Sequence, residues 1–172
     1  MGLKAPSIDV GFVIMVMLRY FNMELIRIML ILYLLRNHLG ITYEYPPWYS
    51  NAVWVSISEL KRKGIVELYN DRGFVKVKLT GEGSRRLREY DERFRGMLIS
   101  VGPILLMNYE DLVDRVKEIT FNYANMPLNT LASIALSDYA HELYYLNERS
   151  IEAKLLWEAS SIISRLCEGP PG

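Results

Sequence analysis

"SNAVWVSISELKRKGIVELYNDRGFVKVKLTGEGSRRL", residues 50–87, decides how the fold is read. Ser50 suits a helix start, because its hydroxyl can accept a backbone N–H from the first turn. Val53, Ile57 and Leu60 then recur at i, i+4 and i+7, which predicts a helix over 50–63 with one apolar face. Gly64 ends it, since glycine enters left-handed backbone without steric penalty. "IVELY" becomes a strand, and "NDRG" (70–73) supplies hairpin turn chemistry. In "FVKVKLT" Val75, Val77 and Leu79 point one way and Lys76 and Lys78 the other, as on a half-buried strand. A further helix is expected from Gly81 or Glu82 to Ile99, broken by Gly102 and Pro103.

Upstream, residues 8–20 read as a helix that is apolar nearly all round and must be covered. Asn22 is placed to cap a second helix, 23–38, with Leu25, Ile28, Met29, Leu32 and Leu35 at helical spacing and Gly40 as its stop. The apolar runs 10–18 and 28–35 are each shorter than the roughly 20 residues of a spanning helix. Joining them would put charges at mid-bilayer, so no membrane role is expected. Between the second helix and Ser50 lie only Ile41 to Tyr49, containing Pro46 and Pro47. Proline starts a helical turn but does not sit inside one, leaving a single turn or an aromatic loop of Tyr43, Tyr45, Trp48 and Tyr49.

Downstream the chain reads as helical. Asn108 with Asp111 resembles a capping box and opens a helix to about Asn125. Pro127 breaks the chain, and Asn129 or Thr130 starts another helix with the seam Ala132, Leu136, Tyr139, Leu143 and Leu146. Ser150 caps the last, whose seam is Ile151, Leu155, Ala159, Ile162 and Leu166. The domain reading is an apolar N-terminal helix over 1–22 (packing or dimerisation), a central unit over 23–100, and a helical region over 101–172.

Formal net charge is zero, but it is unevenly spread. Val55 to Arg95 holds eleven basic residues against seven acidic, while Gly96 onward holds five against ten. A basic middle therefore faces an acidic tail. The single cysteine, Cys167, excludes an internal disulfide and fits a reducing, cytoplasmic setting. Glutamine is absent although nine asparagines remain, a faint mark of a thermophile. No cofactor is expected, because no glycine-rich phosphate loop or nucleophile elbow is present. No metal is expected either. Only Asp138 and His141 share a helical face, and His38 is far away in sequence. No enzymatic activity is expected.

Leu60-Lys61-Arg62-Lys63-Gly64-Ile65-Val66, the hairpin, and Leu79-Thr80-Gly81-Glu82-Gly83 together resemble the winged helix-turn-helix of MarR-like and PadR-like transcriptional regulators. The resemblance covers residues 50–87, or roughly 23–87 with the second helix included. It implies a mostly α fold: a winged helix-turn-helix core with a two-stranded β-hairpin wing, an N-terminal helix and a C-terminal helical tail. It also implies a cytoplasmic transcriptional regulator that binds double-stranded DNA as a homodimer, with a recognition helix at about 50–63 and a wing at about 65–80.

The candidate DNA-binding residues are Ser50, Asn51, Trp54, Val55, Ser58, Lys61 and Arg62 on the helix, with Arg72, Lys76 and Lys78 on the wing. The basic residues suit phosphates; on the helix only Asn51 and Arg62 are good readers of base edges. Lys76 and Lys78 also suit the wet face of an edge strand, and Arg85, Arg86 and Arg88 a solvated helix face. Exposed, Trp54 would be a protein hot spot or an apolar wedge; buried, it is packing. The alternative function is a winged helix used as a protein–protein interaction module without DNA binding.

Overall fold

The helix announced by Ser50 forms, but much of what holds it in place comes from distant parts of the chain. The computed structural model describes residues 5–102, 105–146 and 151–167. In chain order the elements are β1 (Ser7–Ile8), α1 (Val10–Leu18), β2 (Met23–Glu24), α2 (Leu25–Leu39), α3 (Asn51–Arg62), β3 (Val66–Asp71) and β4 (Phe74–Leu79). They continue with α4 (Gly81–Phe94), β5 (Leu98–Val101), β6 (Leu105–Asn108), α5 (Tyr109–Tyr123), α6 (Leu128–Leu146) and α7 (Ile151–Cys167). The described residues are thus mostly helical, with seven helices and two sheets of three strands each.

Helix α1 is the centre of the molecule. Asp9 caps it by accepting the Phe12 N–H at 2.9 Å. Every side chain from Phe12 to Leu18 is buried, against α3, α4, α5 and β4. Each such side chain contributes about 1.5–3 kcal/mol of gross hydrophobic stabilisation. In the described structure the side chains of α1 from Phe12 to Leu18 serve packing. The buried core is continuous from Ile8 to Ala135, crossing the divisions expected at 22 and 100. No helix among the described residues is long and apolar enough to cross a membrane.

Two expected helix boundaries are overturned by strand pairing. Asn22 does not cap α2, because Met23 and Glu24 pair antiparallel with Val77 and Lys76 of β4. Glu24 takes the cap position without a side-chain cap bond, its carboxylate held instead by Arg27 Nε at 2.7 Å. The helix expected to run to Ile99 stops at Phe94, and Gly96 at φ 71° turns the chain into β5. β5 runs parallel to β1 and antiparallel to β6, so the 98–108 segment is a hairpin. At Asn108 the capping box does not form: the side chain makes no cap bond and points its amide at Asp111 Oδ2, 3.4 Å away.

The tail is tied to α2 by a buried cation. Arg36 donates to Asp138 Oδ2 and Glu142 Oε2 of α6, both at 2.7 Å, and lies 3.8 Å from the Tyr33 ring centroid. Burial opposes its charge most strongly, but the two carboxylate hydrogen bonds and nearby negative charge together hold its pKa above the ordinary value. Helix α7 packs on α6 through a face one residue off the expected seam. Ser160 is buried and exchanges hydrogen bonds with Ser133, at 2.8 and 2.9 Å, with Leu156 and Ile163 half-buried beside it. Leu155 and Ile162, expected to face inward, are 60% and 53% exposed. The Ser150 cap lies outside the described residues.

Candidate nucleic-acid interface

The α3 helix stands where its apolar stripe dictates. Val53, Ile57 and Leu60 are all buried. Ser50 Oγ donates to the Thr42 carbonyl at 2.6 Å and receives the Val53 N–H at 3.4 Å. Asn51 N–H donates to Glu44 Oε2 at 2.8 Å, placing a carboxylate at the positive end of the helix. Before it, Ile41 to Tyr49 form an aromatic turn rather than a helix, with a cis Pro46–Pro47 bond and a Tyr45–Tyr49 bridge. Tyr43 is buried there, its hydroxyl donating to the Met29 carbonyl at 2.5 Å.

At the other end, Thr80 and Gly83 bolt the hairpin to the exit of α3. Thr80 Oγ1 accepts the Gly83 N–H at 3.1 Å, capping α4, and donates toward the Gly64 carbonyl at 2.6 Å. A Cβ on Gly83 would lie 2.3 Å from the Ile65 carbonyl oxygen, a contact no side chain tolerates. Gly64 itself has φ 70°. These contacts explain physically why Leu79 to Gly83 carries threonine and glycine where it does.

Asn51, Trp54, Val55, Ser58, Lys61 and Arg62 are all exposed on the outer side of α3, and Arg72 is exposed at the hairpin tip with φ 51°. Three expectations need correction. Ser50 is fully buried, and its hydroxyl is engaged in the cap; a helix cap cannot also reach a duplex. Lys76 and Lys78 do not lie on an edge strand, because β4 is the central strand, flanked by β2 and β3. Nor are they free. Lys76 Nζ lies 2.7 Å from Asp71 Oδ2, and Lys78 Nζ lies 3.2 Å from Glu67 Oε2. The Asp71 hydrogen bond holds the Lys76 pKa above its ordinary value, and Lys76 holds Asp71 below the usual carboxylate range.

Lys61, Arg62, Lys63 and Arg72 are different. Among the described residues none has a carboxylate within 4.0 Å. On α4, Arg85 and Arg86 pair with Glu82 and Glu89 of the same helix, as a solvated face does.

Trp54 is exposed, by 41%, and it is not alone. A groove of about 400 Å³ is floored by Leu25, Ile26 and Met29 of α2 and walled by Trp48, Trp54 and Phe74. Phe74 is 49% exposed and Trp48 40%. Sequence reasoning flagged both tryptophans but missed Phe74, and it gave Leu25 and Met29 only as part of the apolar spacing of the second helix. The available signal was Phe74 falling in phase with Lys76 and Lys78, on the side opposite Val77. Among the described residues no group of three His, Cys, Asp or Glu side chains is placed to hold a metal ion. His141 instead packs on Trp157, with ring centroids 4.2 Å apart.

Neither a protein-family model, nor a curated protein, nor a solved structure matches the chain.

Proposed function

We propose that this chain is a winged-helix transcriptional regulator that binds double-stranded DNA. In this reading α3 is the recognition helix and the β3–β4 hairpin is the wing. The observation that carries it is the unpaired cation set on those two elements, Lys61, Arg62 and Lys63 at the end of α3 and Arg72 at the hairpin tip. Four unneutralised charges on one pair of elements suit phosphates, which supply most of the affinity for duplex DNA. Asn51, Val55 and Ser58 lie on the same outer side of α3 and take what base-edge contact there is. Lys76 and Lys78 contribute only if they exchange Asp71 and Glu67 for phosphate.

A homodimer completes the reading. The exposed Leu155 and Ile162 of α7 sit at i and i+7, a stripe that a two-fold partner would cover. Two recognition helices would then address half-sites about one duplex turn apart. The test is fluorescence anisotropy of a labelled, arbitrary-sequence duplex at low and high salt. Affinity should fall steeply with salt, and Arg62→Glu with Arg72→Glu should flatten the slope by about 1 for each lost phosphate contact. Absence of binding even at low salt would sink the proposal. It would leave the protein-interaction reading, which the exposed Trp48, Trp54 and Phe74 favour.

A further inference from the structure

We infer that the groove between Trp48, Trp54 and Phe74 is a stacking site for a nucleobase that has left the double helix. The inference rests on the nucleic-acid reading above and names the substrate class more closely. Three rings from three different elements converge there: the aromatic turn, α3 and the hairpin. All three are partly exposed. A paired, stacked base offers a protein only its edges, so against an intact duplex these ring faces find no partner. A base swung out of the stack presents a π-face, and aromatic side chains hold such bases without regard to sequence.

Charge favours this occupant over an apolar peptide. Arg72 adjoins Gly73 at the groove wall, and Arg62 lies about 12 Å beyond Trp54 along the outer side of α3. The nearby carboxylates are mostly engaged within the protein: Asp71 by Lys76, Glu67 by Lys78, Glu24 by Arg27, and Glu44 by the Asn51 N–H. On α3 itself only the exposed Glu59 is acidic. Arg72 thus sets a cation beside an aromatic slot, the combination that tracks a nucleic-acid backbone and stacks its bases.

The experiment compares a labelled, fully paired duplex with the same duplex carrying a short central run of mismatches, using anisotropy and tryptophan emission. The mismatched duplex should bind about tenfold more tightly and quench tryptophan emission. Trp48→Ala and Phe74→Ala should each remove about tenfold of that affinity while leaving the paired duplex unaffected. Both side chains are exposed, and circular dichroism verifies the fold of each variant; should one fail to fold, the other carries the test. Equal affinity for both duplexes, unchanged by either variant, would overturn the stacking site and leave duplex binding standing. Binding of neither duplex would overturn both and assign the groove to a protein partner.

Discussion

Helices α1 and α7 are both rich in apolar residues, yet they are treated in opposite ways. α1 is buried on every side, while α7 packs mainly on α6 and shows Leu155 and Ile162 to solvent. The difference lies in position, not composition. α1 is enclosed by elements on several sides, whereas α7 packs chiefly on α6, where the Ser133–Ser160 pair and the His141–Trp157 ring contact join them. An apolar stripe in the sequence therefore says that something must cover it, without saying whether the cover is this chain or another.

The largest effect should come from opening the enclosed helix. Met17, fully buried, should cost about 2–5 kcal/mol as Met17→Ala, read by chemical denaturation. Arg36→Ala should rank next, at about 1–3 kcal/mol, because it removes charged hydrogen bonds from a buried guanidinium while the Asp138 and Glu142 carboxylates, nearly half exposed, regain water. Parity between that variant and an exposed Arg85→Ala would show that the α2–α6 clasp is ornamental to folding. The smallest effect on the protomer, within about 0.5 kcal/mol, is expected for Leu155→Glu with Ile162→Glu. The same pair should convert the proposed dimer to monomer in sedimentation; an unchanged mass would erase the contrast between the two helices.

How far each region was legible follows from the range of its contacts. Ser50 to Gly83 could be read residue by residue, since caps, turns and alternation are set by near neighbours. The misplacement of Ser50 among the contact residues came from giving one hydroxyl two jobs, cap and contact. The second sheet was invisible because Leu98–Val101 pairs with Ser7–Ile8, and no local pattern announces so distant a partner. Asn22 failed as a cap for a similar reason: the open side of β4 recruited Met23 and Glu24. Lys76 and Lys78 were correctly placed on one face, but their partners sit across the hairpin. Pairing with Asp71 and Glu67 became evident only with the strand register in hand.

The central position of α1 has a consequence for synthesis. It leaves the ribosome about ninety residues before α5, one of the helices that covers it. At translation rates of roughly 5–20 residues per second, its seven buried side chains wait about 5–20 seconds for that cover. The most apolar helix of the finished protein thus stays incompletely covered on the nascent chain until α5 emerges. During that interval it is a ready target for holding chaperones.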